Sequence, residues 1–219
     1  KYITISTGIG TDNIDIVINE LDALFNIDLV KRENKKMFTS LNLIRIGTCG
    51  ILQPEIPVHA YVISSHAIGL DNIAHFYDLE FSAQEQEINE AFNTQIHLPN
   101  KVETYTVEAS SEIVQSLQSN KTYQGITITS SGFYGPQGRQ LRLATKTREL
   151  NDQITAFHHE GHQITNFEME SSALFALGKN LGHQCGTICL GIANRPKKEF
   201  SSGYQDEMLQ LIEYVLDRI

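Results

Sequence analysis

Short runs of β-branched and apolar residues alternate with helix-patterned stretches along this chain of 219 residues. No other feature of the sequence restricts the fold as strongly. Strand–helix alternation is satisfied by a three-layer α/β arrangement, with helices covering the faces of a central sheet. Residues 1–6 alternate β-formers and end at the turn Thr7-Gly8-Ile9-Gly10. Asp12 or Asn13 then caps a helix whose apolar face is Ile14, Val17, Ile18, Leu21 and Leu24. Residues 26–40 are polar and lysine-rich and read as a surface loop or hairpin. Further strands are expected at 41–46, 60–65, 102–107, 123–130 and 186–192, and helices at 111–119, 171–181 and 205–219. Ala173, Leu174, Leu177 and Leu181 form the apolar stripe of the second of these helices. No repeat, low-complexity tract or linker interrupts the pattern, so residues 1–219 read as a single domain.

Composition removes several function classes. A net charge of −9 and a pI near 5.3 argue against a nucleic-acid or anionic-membrane binder, which needs a basic face. A local anion pocket built from one or two arginines is not excluded. The three cysteines, Cys49, Cys185 and Cys189, contain no CxxC pair. That gives no disulfide framework or zinc knuckle and points to a reducing, cytoplasmic setting. No apolar run approaches the ~18–20 residues that span a bilayer, and no signal peptide is visible. The chain opens directly on its first expected strand, without a Met or a polar lead-in, which reads as a domain lacking an N-terminal segment.

Three stretches can carry chemistry. In RIGTCG (45–50), Arg45 sits at the end of an apolar strand before a two-glycine turn. A fixed guanidinium holds an anion through parallel hydrogen bonds, Thr48 adds a hydroxyl and an N–H, and glycines let the backbone approach. In FYGPQGR (133–139), Gln137 offers an amide donor and acceptor, Arg139 a cation and Phe133 an aromatic face. In FEMESSALFALG (167–178), Glu170 precedes a helix, where a carboxylate accepts bonds from a vicinal diol and faces positive charge developing at a sugar carbon. Taken singly, each has a plainer reading: a surface arginine in a turn, a solvated Pro-Gly turn, a helix-capping glutamate. The loop 7–13 reads G-x-G-x-x-N, with Asn13 in place of the third glycine, and fails as a dinucleotide fingerprint. HHEGH at 158–162 has the wrong histidine spacing for a zinc protease helix and reads as a solvated loop, so no metal is expected. Cys185 and Cys189 share one side of a strand and read as core.

In order and spacing, these three stretches together resemble the nucleoside phosphorylase family, most closely its uridine phosphorylase branch, from about residue 6 to the C-terminus. The resemblance implies a three-layer α/β/α nucleoside phosphorylase fold with a mixed central sheet. It also implies reversible phosphorolysis of uridine to uracil and α-D-ribose 1-phosphate in pyrimidine salvage. Arg45 and Thr48 would bind phosphate, the co-substrate, with no other cofactor. Glu168, Met169, Glu170 and Cys49 would line the ribose, with Glu168 at its hydroxyls or behind them. Phe133, Gln137, Arg139, Ile192, Arg195 and Gly50 would line the base. Arg45, Glu170 and Arg139 would be the catalytic residues. Asn194-Arg195 stands where purine-specific relatives carry Ser-Asp, which favours uracil. The family implies a homo-oligomer with a dimer as minimal active unit, assembled into hexamers. It also implies an N-terminal anion loop, and a His and an Arg from a neighbouring subunit, none of which this sequence contains. The alternatives are phosphorolysis or hydrolysis of another nucleoside (thymidine, deoxyuridine or a purine nucleoside) and a non-catalytic nucleoside-binding protein.

Overall fold

A computed structural model describes residues 2–219. Residues 2–8 carry no regular structure, and α1 (Thr11–Asn26) follows at once. A small hairpin, β1 (Ile27–Asp28) and β2 (Glu33–Asn34), leads into β3 (Asn42–Ile51) and β4 (Tyr61–Gly69). Next come α2 (Ala83–Gln95), β5 (Tyr105–Glu108), α3 (Ser111–Leu117) and β6 (Thr122–Thr129). The C-terminal half holds α4 (Leu150–Ala156), β7 (His158–His159), β8 (His162–Glu168) and α5 (Ser171–Asn180). β9 (Gln184–Asn194), β10 (Glu199–Phe200) and α6 (Gln205–Leu216) end the chain.

The main sheet is mixed and runs β10-β9-β3-β8-β6-β4-β5, with β7 hydrogen-bonded to β8. β3 is parallel to β9, and β6 is parallel to both β4 and β8. A further antiparallel pairing joins Tyr61–Ile63 of β4 to Leu190–Ile188 of β9, so β9, β3, β8, β6 and β4 close into a ring. α1, α3, α5 and α6 share one core with the sheet, through Ile14, Ile18, Ile113, Leu174, Leu211 and Ile188. α2 and α4 cover the other side through Ile88, Phe92, Leu150 and Ile154 against Ile126, Ile128 and Phe167. The expected α/β layering is therefore present, with the sheet rolled toward a barrel.

Several expectations change. Residue 1 lies outside the described residues, and residues 2–6 are not a strand. Tyr2, Ile3 and Ile5 are exposed, because β-propensity without a neighbouring ladder does not make a strand. Gly10, rather than Asp12 or Asn13, precedes α1; Asn13 sits in the first turn and its Nδ2 donates back to the Ile9 carbonyl at 2.6 Å. Leu24 is exposed instead of lying on the buried face. Residues 47–50 do not turn: β3 continues to Ile51, with a register shift at Cys49/Gly50, so Arg45 lies within the strand. The helix α5 has no apolar stripe, since every residue from Ser171 to Gly178 is buried.

Candidate active site

β3 and β8 overlap through only two pairs, Gly50 with Phe167 and Ile51 with Asn166, so their carboxyl ends converge. One cluster forms there around Arg45. Its Nη2 donates to Glu170 Oε2, and its Nη1 lies 3.3 Å from Glu168 Oε2 and 3.2 Å from Cys189 Sγ. Glu170 Oε1 accepts the Gly10 backbone N–H at 2.7 Å, which brings the glycine loop before α1 into the site. Burial alone would lower the Arg45 pKa, but Cys189, Glu168 and Glu170 outweigh it and push it up. Glycine at 47 leaves room for the guanidinium: a Cβ would stand 2.6 Å from Arg45 Nη1.

Glu168 is held differently. Its side chain is 1% exposed. Oε1 accepts the Thr129 hydroxyl, and Oε2 accepts the N–H groups of Glu170 and Ser171, each at 2.9 Å. Those N–H groups open α5, where donors lack helical partners and a carboxylate is favoured. Met169 is half-buried between the two acids, and Thr48 is half-buried on β3. Cys49 faces inward and packs with Ile51, Ile56, Ala60, Val62 and Cys189. Both thiols are free: the neighbouring Cys189, and then burial, hold the Cys49 thiol well above its ordinary range, while Cys49 and the Arg45 charge, opposed by burial, draw Cys189 down.

A second cluster surrounds Gln137, which is 2% exposed at the short turn Gly135–Gln137 after β6. Its amide oxygen accepts from Arg139 Nη1 at 2.5 Å and from Arg195 Nη2, and its carbonyl accepts from Arg195 Nη1 at 2.9 Å. Arg139 stacks on Phe133, 3.9 Å from the ring centre, and Arg195 on Phe167 at 4.5 Å. Two guanidinium groups thus converge on one neutral amide, and neither is ion-paired to a carboxylate among the described residues. Burial, and then the nearby Arg139, push the Arg195 pKa down to about 9; burial also lowers that of Arg139. Such a pair is short of negative charge, and a planar anion placed against it would be stabilised. Gly50 joins the two clusters: a Cβ there would stand 3.0 Å from Arg195 Nε. Ile192, half-buried on β9, lies just before Arg195.

The structure therefore gathers Arg45, Glu168 and Glu170 in one cluster and Phe133, Gln137, Arg139 and Arg195 in the other. It adds Gly10, Thr129 and Cys189, which the sequence reading missed as participants. The glycine turn before α1 was a visible signal for the first; the other two have no local motif. HHEGH is a hairpin, β7–β8, turning at Glu160-Gly161, not a free loop. Donor atoms of His159, Glu160 and Glu87 come within 4.8 Å of one another there, at the opposite end of β8 from Glu168.

Comparison with known proteins places the chain in a family. A family model described as the phosphorylase superfamily matches residues 1–216. The uridine phosphorylase of Haemophilus influenzae is 30% identical over 195 residues, covering 89% of this chain and 64% of that protein. That of Thermococcus kodakarensis is 26% identical over 205 residues, covering 92% and 61%. The chain thus spans just under two thirds of the length of these curated relatives. A crystal structure of a Trypanosoma brucei nucleoside phosphorylase, described as showing uridine phosphorylase activity, aligns with a TM-score of 0.86 at 30% identity. The alignment covers 97% of this chain and 78% of that one.

Proposed function

This chain belongs to the phosphorylase superfamily, and from that premise we propose that it is a uridine phosphorylase, cleaving uridine with phosphate to uracil and α-D-ribose 1-phosphate. The observation that carries the reading is the convergence of Arg139 and Arg195 on Gln137 without a carboxylate partner. When the N1–C1′ bond breaks, its electron pair passes to the pyrimidine, and negative charge collects on the ring oxygens. Cations aimed there stabilise the transition state more than the bound nucleoside. Gln137 supplies an amide for the O2/N3 edge, and Phe133 packs on the ring. A purine would need a proton donor at N7, and this cluster offers no carboxyl group for that.

Glu170, with Met169, takes the ribose, its carboxylate accepting from the diol and facing the charge growing at C1′. A phosphate oxygen attacks C1′ from the side of Arg45 and Thr48 as the N1–C1′ bond breaks, and the uracil anion takes up the proton that the hydrogen phosphate brought. No cofactor beyond inorganic phosphate enters this scheme; proximity and electrostatics carry it. Arg45 is already matched by two carboxylates, so a phosphate dianion beside it calls for further positive charge. In the resemblance that charge comes from an N-terminal anion loop and a neighbouring subunit, and a homo-oligomer with the dimer as its smallest competent form is part of the proposal. No helix among the described residues is long and apolar enough to cross a membrane; a cytoplasmic location is part of the proposal.

The test is cleavage of uridine by the intact protein with and without phosphate, with inosine in parallel. Phosphate-dependent release of uracil and ribose 1-phosphate is expected. Cleavage without phosphate would make the protein a nucleosidase, and turnover of inosine alone would overturn the assignment of the base site.

A further inference from the structure

We propose that Glu168 is a positioning residue rather than a sugar ligand: it fixes the anion-binding Arg45 and the ribose carboxylate Glu170 as one rigid unit. The proposal rests on the phosphorolysis reading above. Glu168 offers no exposed oxygen to a ribose hydroxyl. Its side chain is 1% exposed, Oε1 is taken by the Thr129 hydroxyl, and Oε2 is shared by two backbone N–H groups and Arg45. Thr129 completes the set, because its Oγ1 accepts the Ser172 N–H at 3.0 Å. The N–H groups of Glu170, Ser171 and Ser172 are therefore all held by one carboxylate and one hydroxyl, from the ends of β8 and β6.

This clamp decides where Glu170 points. Glu170 precedes α5 with φ −137° and ψ −28°, and its N–H is bound by Glu168. Its carboxylate then reaches Arg45 and Gly10. Because Glu168 also lies 3.3 Å from Arg45 Nη1, loss of its charge should disturb both substrate sites together. A sugar ligand would disturb only one.

The experiment compares Glu168→Gln with wild type in the full chain, using uridine and 2′-deoxyuridine at varied phosphate. Glutamine can keep the helix end capped through its carbonyl oxygen while removing the charge beside Arg45. A fall in kcat/KM of about 10- to 100-fold is expected, carried mainly by kcat. The fall should be the same for both nucleosides within about twofold. A loss seen with uridine and absent with 2′-deoxyuridine would make Glu168 a ligand of the 2′-hydroxyl and overturn the proposal, as would unchanged kinetics. Should Glu168→Gln fail to fold, Thr129→Val serves, since the Thr129 hydroxyl bonds within the clamp, to Glu168 and the Ser172 N–H; unchanged kinetics in that variant would equally overturn it. Wild-type turnover in the same assay separates this question from the functional reading. If wild type is inactive, that reading falls, and amide hydrogen exchange decides the clamp. The Glu170 and Ser171 amides should exchange about tenfold faster in Glu168→Ala than in wild type, and equal rates would refute it.

Discussion

At Gln137 a single amide oxygen accepts from two guanidinium groups, an arrangement that leaves the free protein electrostatically unsatisfied. The lowered pKa values of Arg195 and Arg139, both led by burial, express the same imbalance. A site built to receive an anion is usually a local weak point in stability. Replacing Gln137 with glutamate should reverse both properties. The new carboxylate would pair with Arg139 and Arg195 almost isosterically, so thermal unfolding should shift upward. The same charge would oppose the uracil anion, and kcat/KM for uridine should fall by about 10²–10³-fold. A variant that lost activity and stability together would show instead that the guanidinium pair is held for folding.

Within β3 the sequence and the structure part company in an instructive way. Gly47-Thr48-Cys49-Gly50 was legible as a place where backbone and cation come close, but its two glycines suggested a turn. The strand continues because β9 pairs with it along its whole length, and the glycines make room for Arg45 and Arg195. Most strands were readable from apolar runs, with ends displaced by a few residues, since pairing rather than propensity sets strand length. The helix α2 was not seen: only Ile88 and Phe92 of its apolar residues are buried, too few to show a period. Its capping box, Ser82 with Glu85, was the available signal. The motif residues that gather in the two clusters were legible, whereas Cys189 and Thr129 were not, because they reach them through sheet register rather than through spacing; Gly10 comes in from the glycine loop before α1. Gly47→Ala tests the packing account of β3. Its Cβ would stand 2.6 Å from the end of a flexible side chain, and the backbone there is ordinary strand, so folding should survive. The guanidinium must swing away, and KM for phosphate should rise by about tenfold with little change in unfolding temperature. An unchanged KM would mean that Arg45 does not hold phosphate from this position.

The sheet closes between β4 and β9, and polar as well as apolar side chains are buried within the molecule. His66 on β4 is the most consequential of these for pH. It is 3% exposed, its Nδ1 meets Ser65 Oγ at 3.2 Å, and its ring stands edge-on to His162. Its Nε2 has no hydrogen-bond partner among the described residues. Burial, and then His162, lower its pKa to about 4, with Lys179 acting in the same direction and Glu85 against it. The folded value lies below the ordinary 6.5, so the unfolded chain takes up the proton first and gains from acid. Stability contributed by the neutral ring is thus complete above about pH 6.5 and is lost as pH falls toward 4. By pH 4 the loss from this group amounts to about 3 kcal/mol. Phenylalanine at this position fills similar space and leaves no buried donor unmatched. Urea unfolding of His66→Phe at pH 7.5, 5.5 and 4.5 should show a distinctly shallower decline than wild type. Parallel declines would place the acid sensitivity elsewhere, as in Glu85, whose carboxyl is held below its ordinary range against burial by the Glu108 N–H and Lys179.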